Sequence, residues 1–295
     1  MSDLPGTEAL DPATAEIDRL DAGALARLLL ATHRGAVDAA LAAADAVAAA
    51  TELVAQALAA GGRIVLIGAG TSGRLAVLDA AELPPTFGLD PARVQARIAG
   101  GEAALRRAVE GAEDDALAGL RTVEDVRPGD VVIGVSASGG APFVRAALQA
   151  ARVHGARTIA LVNATGSLLA AEADLAIVAT TGAEPIAGST RLRAGTAQKI
   201  VLNAISTGAM IRLGKTYRNR MVDLRATNAK LRARAERLVV ELADGPVDAP
   251  ALLHDAGGSV KVAIVMARRG VSRVAAEGLL AAAGGRLAAV IDGPG

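Results

Sequence analysis

The chain has 295 residues, a formal net charge of +0 and 52% hydrophobic residues, which is typical of a folded globular protein. The balanced charge and the small aromatic content, one Tyr and two Phe, disfavour nucleic-acid binding, which uses basic surfaces and stacking platforms. Cysteine is absent and the histidines are widely scattered, so we expect no disulfide, no metal site and no cofactor held by such ligands.

The N-terminal part of the chain predicts helices. The segment Met1–Asp21 lacks the pattern of a signal peptide, and no apolar stretch is long enough to predict a membrane span. We therefore expect a cytoplasmic protein with no membrane partner. Residues 21–60 are rich in Ala and Leu with charged residues spaced through them, a pattern that predicts one or two long helices.

Short apolar runs then alternate with helical patterns such as Arg74–Ala81 and Phe143–His154. Strands that are apolar on both faces, separated by helices, predict an α/β fold with a doubly wound parallel five-stranded sheet. The predicted strands are Arg63–Ile67, Val94–Ile98, Val131–Val135, Thr158–Val162 and Leu175–Val178.

The C-terminal third is predicted to be helical. Helical patterns cover Gly195–Leu213 and Asp223–Ala243, and Gly245–Pro250 is typical of a linker. Two similar segments follow, Leu252–Gly258 and Leu279–Gly285, and each ends in glycines of the kind that terminate helices. We therefore predict an N-terminal helical segment over residues 1–60, a central α/β domain over 61–244 that would contain any catalytic site, and a small helical domain over 250–295.

Two loops contain the residues that indicate a ligand-binding site. Residues 68–73 follow the first strand and read G-x-G-x-x-G, a pattern that suits a dinucleotide or a smaller phosphate at a helix N-terminus. The second strand has no acidic residue at its tip for a ribose, and a second hydroxyl-rich loop follows the third strand. Hydroxyl groups that converge at one sheet edge favour a compact phosphate, and the residues that carry them are Thr71, Ser72, Ser136 and Ser138.

These paired loops resemble those of the sugar isomerase (SIS) domain, whose serines bind phosphosugars. Longer motifs are similar to the N-acetylmuramic acid 6-phosphate etherase family, which is related to the glucokinase regulatory protein. The similarity covers nearly the whole chain, and the motifs that carry it are Gly61–Gly88, Ala99–Asp115, Gly182–Lys199, Ile205–Lys215 and Met221–Leu231.

The resemblance implies cleavage of the D-lactyl ether at sugar C3 by elimination and hydration, in the recycling of cell-wall amino sugars. It implies no metal and no organic cofactor. Together with the two loops, it predicts a phosphosugar site formed by Gly70, Thr71, Ser72, Gly73, Ser136, Ser138, Gly139, Glu184, Ser189, Thr190 and Lys199.

Two glutamates match catalytic positions of the family, Glu82 and Glu113. The family gives the first the role of acid on the departing lactate, and we assign the second as base or electrostatic partner. Carboxyl groups in a partly dry site suit both tasks. Each also has an ordinary interpretation: Glu113 lies in an acidic cluster typical of a solvated surface, and Glu82 is predicted to end a helix stopped by Pro84-Pro85.

The chain departs from the family at several positions. Gly140-Ala141 replaces a usual Arg-Thr, Arg193 a usual Lys and Leu83 a usual Cys, and the stretch Thr7–Pro12 also differs. These changes bear on phosphate affinity and on the exact substrate. Two other functions stay open from the sequence: a non-catalytic phosphosugar sensor, which would not need both glutamates, and a phosphosugar isomerase, which would release no lactate.

A homodimer is expected from helix geometry. Ten helical residues separate Ser72 from Glu82, which is about 15 Å along an α-helix. If the helix is continuous, this is too far for both to act on one hexose phosphate within a single subunit. A two-fold interface would present Glu82 to the loops of the neighbouring subunit. The alternative is a helix that breaks early and a complete site in each subunit.

Overall fold

The structure is a computed structural model, and it describes residues 6–224 and 229–293. The chain divides into two compact units. The first comprises the described residues up to Ala81 together with Ala92–Ser206, and the second comprises Glu82–Pro91 with the described residues from Thr207 onwards. The predicted domain boundaries follow breaks in the sequence pattern and stay predictions. Part of the predicted helix Asp223–Ala243 and of the motif Met221–Leu231 lies outside the described residues.

The first unit contains the predicted parallel sheet. Its strands pair in the order β2-β1-β3-β4-β5, all parallel, so the predicted fold class is confirmed. Side chains of β1 and β3 are buried throughout, as expected for strands that are covered on both faces. The strands are β1 Ile64–Gly68, β2 Val94–Ile98, β3 Val131–Ser136, β4 Arg157–Val162 and β5 Leu175–Val178.

Helices cover both faces of this sheet. In the first unit they are α1 Ala22–Thr32, α2 Arg34–Ala42, α3 Ala44–Ala59, the start of α4 Gly70–Phe87, α5 Ala103–Arg106, α6 Ala116–Arg121, α7 Pro142–Val153, α8 Leu168–Glu172 and most of α9 Arg193–Arg212. Helix α3 packs on strands β1, β3 and β5. Helices α7 and α8 form one core with strands β1, β3 and β4, in which Phe143, Leu148 and Leu169 are buried.

The N-terminal helical region is more broken than the sequence predicts. Residues 22–59 form three helices where one or two long ones were expected. At His33 and at Ala43 the backbone N–H bonds to the carbonyl three residues earlier, which is the tighter pattern of a 3₁₀ turn. Neither break is marked by proline, so the Ala-rich pattern does not reveal it.

Helix α4 also corrects the sequence reading, because it does not stop at Glu82. It continues through Pro84 and Pro85 to Phe87. Each proline removes one backbone donor. Leu83 and Phe87 lie one turn apart and are both buried, and this burial offsets the two lost hydrogen bonds. The helix ends instead at Gly88, which adopts a left-handed φ of 64°.

An ion-pair network lies at the amino-terminal edge of the sheet, where Arg63 precedes β1 and Asp130 precedes β3. The Asp130 side chain is 0% exposed and accepts hydrogen bonds from the backbone N–H and the guanidinium of Arg63. Burial alone would raise the pKa of Asp130, but the Arg63 guanidinium and backbone N–H groups hold it below its ordinary value. The guanidinium of Arg97 holds the pKa of Asp125 well below its usual range.

The second unit is mainly helical. Besides a short antiparallel pair, β6 Thr216–Tyr217 and β7 Arg220–Met221, it contains α10 Ala229–Leu242, α11 Ala249–Asp255, α12 Val260–Arg269, α13 Arg273–Ala282 and α14 Leu287–Ile291. As predicted, the glycine pairs 257–258 and 284–285 follow helices and have positive φ angles. Inside this unit Lys215 and the buried Lys261 share the Asp223 carboxylate, which neutralises part of their charge.

Candidate active site

The two hydroxyl loops meet where the strand order of the sheet reverses. Strand β1 has β2 on one side and β3 on the other, and Gly68 pairs with Val135 in register. The loops after β1 and β3 therefore leave the carboxyl edge of the sheet side by side. In open α/β sheets this reversal point is where ligands bind.

The first loop is built by glycines. Gly70 has a left-handed φ of 53°, which turns the chain from β1 into the first turn of α4. A Cβ atom on Gly73 would lie 2.5 Å from a side-chain carbon of Ile98, so only glycine lets the helix approach the sheet this closely. Thr71 and the buried Ser72 follow at the helix N-terminus, where backbone N–H groups and the helix dipole favour an anion.

The second loop is held by its own serines. The Ser136 hydroxyl oxygen accepts the N–H of Gly139 at 3.1 Å, and the Ser138 hydroxyl oxygen accepts the N–H of Gly140 at 3.2 Å. Both hydroxyls thereby keep a proton that they can donate to a ligand. Ala141 is the N-cap of α7 and has no side chain that could satisfy the N–H groups of the first turn. The departure Gly140-Ala141 thus leaves this helix end open to an anion.

A polar cavity of about 420 Å³ lies between these loops. It brings together seven of the residues predicted from the sequence: Gly70, Thr71, Ser72, Glu113, Ser136, Ser138 and Thr190. Its other lining residues were not among the predicted site residues, and they are Glu8, Ala69, Asp114, Val135, Ala137, Gly140, Ala141, Pro142 and Gly188.

Carboxylate side chains also line the cavity. Glu113 and Asp114 lie in a 3₁₀ turn, Ala112–Asp114, that begins after Gly111, a glycine with a left-handed φ of 71°. Both carboxylates are exposed, so they remain available to a ligand. The hydroxyl and N–H donors of the two loops, here called the donor wall, and the carboxylates of Glu8, Glu113 and Asp114, here called the acceptor wall, line the same cavity. A molecule that carries both an anionic group and hydroxyl groups fits this lining.

Glu8 reaches the cavity from the N-terminal segment. The carbonyl of Thr7 accepts the N–H of Gly188 at 3.2 Å, and Asp11 lies 3.6 Å from the Arg193 guanidinium. Thr7 is fully buried by this packing. Residues 7–12 were not predicted to reach the site, because the docking of this segment depends on contacts with residues far along the chain.

The side chain of Glu184 is bonded to the N-terminus of α9. Its carboxylate is 0% exposed and accepts the backbone N–H groups of Arg193 and Ala194, both at 2.8 Å. It therefore caps the N-terminus of α9, and these two bonds hold the loop that carries Gly188 and Thr190. Glu184 therefore positions this loop through its bonds to the start of α9.

The remaining predicted residues have different surroundings. Gly139 turns the second loop, since a Cβ atom there would lie 1.8 Å from the Ser167 hydroxyl. Ser189 lies between two lining residues but does not itself line the cavity. Lys199 is exposed on α9. Glu82 is exposed on α4, in the part of that helix that belongs to the second unit.

Metal ligands are not grouped in the part of the chain that the structure describes: no three His, Asp or Glu side chains there are arranged to hold an ion. Over the same residues, none of the helices has the length and apolar character needed to cross a membrane.

The fold and the paired loops define a SIS-domain protein. A model of the SIS domain matches residues 108–207, and a model of the glucokinase regulatory protein N-terminal SIS domain matches residues 46–152. Among solved structures, a phosphoheptose isomerase from Neisseria gonorrhoeae shares the fold with a TM-score of 0.50 and 21% identity, covering 63% of this chain and 97% of that one.

Similarity to curated proteins shows which family of SIS-domain proteins the chain belongs to. A protein of Deinococcus radiodurans named N-acetylmuramic acid 6-phosphate etherase is 49% identical over 99% of this chain and 96% of its own length. One of the same name from Symbiobacterium thermophilum is 55% identical over 76% of each chain. The chain belongs to the N-acetylmuramic acid 6-phosphate etherase family.

Proposed function

We propose that this chain is an enzyme that cleaves the D-lactyl ether of N-acetylmuramic acid 6-phosphate, releasing D-lactate and N-acetylglucosamine 6-phosphate. The observation that carries the proposal is the cavity between the two loops, which is lined both by hydroxyl and N–H donors and by carboxylates. The near full-length relatives that bear the etherase name support the same reaction.

The donor wall suits the 6-phosphate. Ser72 and Ser138 offer hydroxyl protons from loops on neighbouring strands, and the N-termini of α4 and α7, which favour an anion, line the same cavity. Neutral donors fixed by the backbone bind a phosphate without the side-chain entropy cost of a long cation. The phosphate thereby anchors the sugar while leaving C2 and C3 free toward the carboxylates.

The acceptor wall suits the bond changes. In the open-chain sugar, the aldehyde makes the C2 proton acidic, and a base removes it. The C3–O bond then breaks, its electron pair goes to the lactate oxygen, and an acid supplies a proton to that oxygen. Water adds across the resulting double bond, with hydroxyl at C3 and a proton at C2. We propose Glu113 as base or electrostatic partner and Glu82 as the acid on lactate.

We also propose that the enzyme is a cytoplasmic homodimer. A phosphorylated sugar cannot cross a bilayer unaided because its charge would have to leave water, so an enzyme that uses it is expected where the sugar phosphate is held. The dimer follows from the length of α4, since Glu82 comes ten helical residues after Ser72. A two-fold partner would bring its own Glu82 to this cavity, which already contains Glu113.

The decisive experiment measures D-lactate release by the purified chain from N-acetylmuramic acid 6-phosphate. We expect release by the wild type, release reduced by at least about 100-fold in Glu113→Gln, as for loss of a general base, and unchanged release in Glu124→Gln. Glu124 is an exposed glutamate that does not line this cavity. No lactate from the wild type, with N-acetylglucosamine 6-phosphate still bound, would favour the non-catalytic sensor.

A further inference from the structure

A second cavity adjoins the first. It has a volume of about 230 Å³ and shares three lining residues with the larger cavity: Gly70, Thr71 and Glu113. Its remaining lining residues are Arg74, Ala99, Ala104, Ala108, Val109, Glu110, Gly111 and Ala112. Glu113 therefore borders both cavities, together with Gly70 and Thr71 of the first loop.

The charges in the two linings are unequal. The larger cavity is lined by three acidic residues, Glu8, Glu113 and Asp114, and by no lysine or arginine. The second cavity is lined by two acidic residues, Glu110 and Glu113, and by one basic residue, Arg74, so it offers an anion a cationic partner that the larger cavity lacks. The Arg74 guanidinium donates to the carbonyl oxygen of Arg107 at 3.4 Å, near the limit of a hydrogen bond. A guanidinium has five N–H donors, so this single long bond uses little of its capacity.

The substrate of the proposed reaction has two anionic groups, a phosphate at C6 and the carboxylate of the lactyl ether at C3. The phosphate has its donor wall in the larger cavity. A carboxylate placed among Glu8, Glu113 and Asp114 would be repelled, whereas beside Arg74 it would meet a planar fork of N–H groups that matches its geometry. The lactyl methyl group would lie against the small apolar side chains of this lining, such as Ala104 and Val109.

We propose that the second cavity is the subsite for the lactyl group and that Arg74 determines specificity by binding the lactyl carboxylate. The inference rests on the proposed function. It places the C3 ether at the junction of the two cavities, beside Glu113, where the bond breaks. It also gives the enzyme a means to distinguish its substrate from sugar phosphates that lack a lactyl group, because those leave Arg74 without an anion.

The test compares two ligands that differ in the lactyl group. Steady-state kinetics give kcat/KM for N-acetylmuramic acid 6-phosphate, and inhibition gives the affinity for N-acetylglucosamine 6-phosphate. In Arg74→Gln we expect kcat/KM to fall about 10- to 100-fold, as for loss of a charge-assisted pair, while the affinity for the second ligand changes less than about twofold. Arg74→Lys keeps the charge without the fork, and its loss should be smaller.

Arg106→Gln is the matched control, because Arg106 is an exposed arginine in the same region that lines neither cavity. A structural role of Arg74 predicts that both ligands weaken together, and that result would overturn the proposal, as would an unchanged kcat/KM in Arg74→Gln. If Arg74→Gln fails to fold, the same comparison of ligands with Arg74→Lys decides between the two roles. Lactate release by the wild type tests the proposed function separately.

Discussion

The backbone of Gly73 lies so close to Gly68 that a Cβ atom on Gly68 would be 2.6 Å from the Gly73 nitrogen. Strand β1 and helix α4 are therefore joined by a turn that only glycine permits at either position. The closeness of the strand end to the helix start fixes where Thr71 and Ser72 present their hydroxyls. The pattern in the sequence that resembles a dinucleotide loop thus serves, in this structure, to set the first loop of the cavity.

Replacing Gly73 by alanine should disturb this loop. The added Cβ atom would meet Ile98 at 2.5 Å and the Gly68 carbonyl oxygen at 2.8 Å, so strand or helix must shift. We expect a loss of about 1–3 kcal/mol in the free energy of unfolding, and a higher KM. Gly278→Ala is the control, since Gly278 lies inside α13 with open space around its Cα and should become slightly more stable. Denaturant unfolding measures both, and an equal change in the two variants would contradict the packing argument.

Removing one loop hydroxyl should weaken phosphate binding. We expect Ser72→Ala or Ser138→Ala to raise KM chiefly, by the equivalent of about 1.5–3 kcal/mol, because the phosphate is remote from the bonds that change. Ser272→Ala serves as control, since the Ser272 hydroxyl caps α13 and its loss should affect stability without affecting KM. Kinetics with the sugar and its 6-phosphate measure the preference. A variant that keeps the wild-type preference for the phosphorylated sugar would refute the assignment.

The parts of the molecule that the sequence predicts are those with local patterns. All five strands of the sheet lie within one residue of their predicted bounds, because buried parallel strands are nearly continuous apolar runs. The two loops were found from local patterns as well, because two loops rich in glycine and hydroxyl residues each follow a strand and precede a helix. Seven predicted residues accordingly line one cavity.

The parts that were missed depend on contacts between distant residues. Glu8 joins the cavity through the packing of Thr7 on Gly188, about 180 residues later, and no spacing rule connects the two. The passage of α4 through Pro84 and Pro85 depends on the burial of Leu83 and Phe87, which the local rule for proline does not include. The capping role of Glu184 likewise becomes visible only with α9 in place.

Metal removal should leave the activity intact. The chain has no cysteine, and its histidines lack ligand spacing, so the proposed reaction relies on carboxyl groups and fixed N–H donors. We expect lactate release to be unchanged, within about twofold, after exhaustive chelation and dialysis. The control is a reaction in which the chelator is present but saturated with calcium. Activity lost on chelation and restored by one specific divalent ion would overturn this expectation.

Stability at acid pH should depend on Asp130. Its pKa is lowered in the folded chain, so its ionisation stabilises the fold above the unfolded pKa near 3.8, and this contribution is lost as pH falls through the lower folded pKa. Asp130→Asn leaves Arg63 without its buried partner and should cost about 3 kcal/mol at pH 7. The difference from wild type should shrink below about pH 4. Denaturant unfolding from pH 7 to pH 3 measures it, with the exposed Asp255→Asn as control, and a difference constant with pH would argue against this role.

The proposed division of the two glutamates between subunits can be tested by mixing chains. Helix α4 is unbroken from Gly70 to Phe87, so Glu82 follows Ser72 by about 15 Å of helix, whereas C3 of a bound hexose phosphate is only a few ångströms from its phosphate. Glu82→Gln and Glu113→Gln should each be inactive as pure homodimers. In a mixed dimer with shared sites, one site receives both variant residues and the other receives both native glutamates, so up to half of the wild-type activity per mixed dimer should return. Differently tagged chains, refolded together and purified through both tags, isolate the mixed species. A mixed dimer obtained in this way that still releases no lactate would show that each site takes both glutamates from one chain.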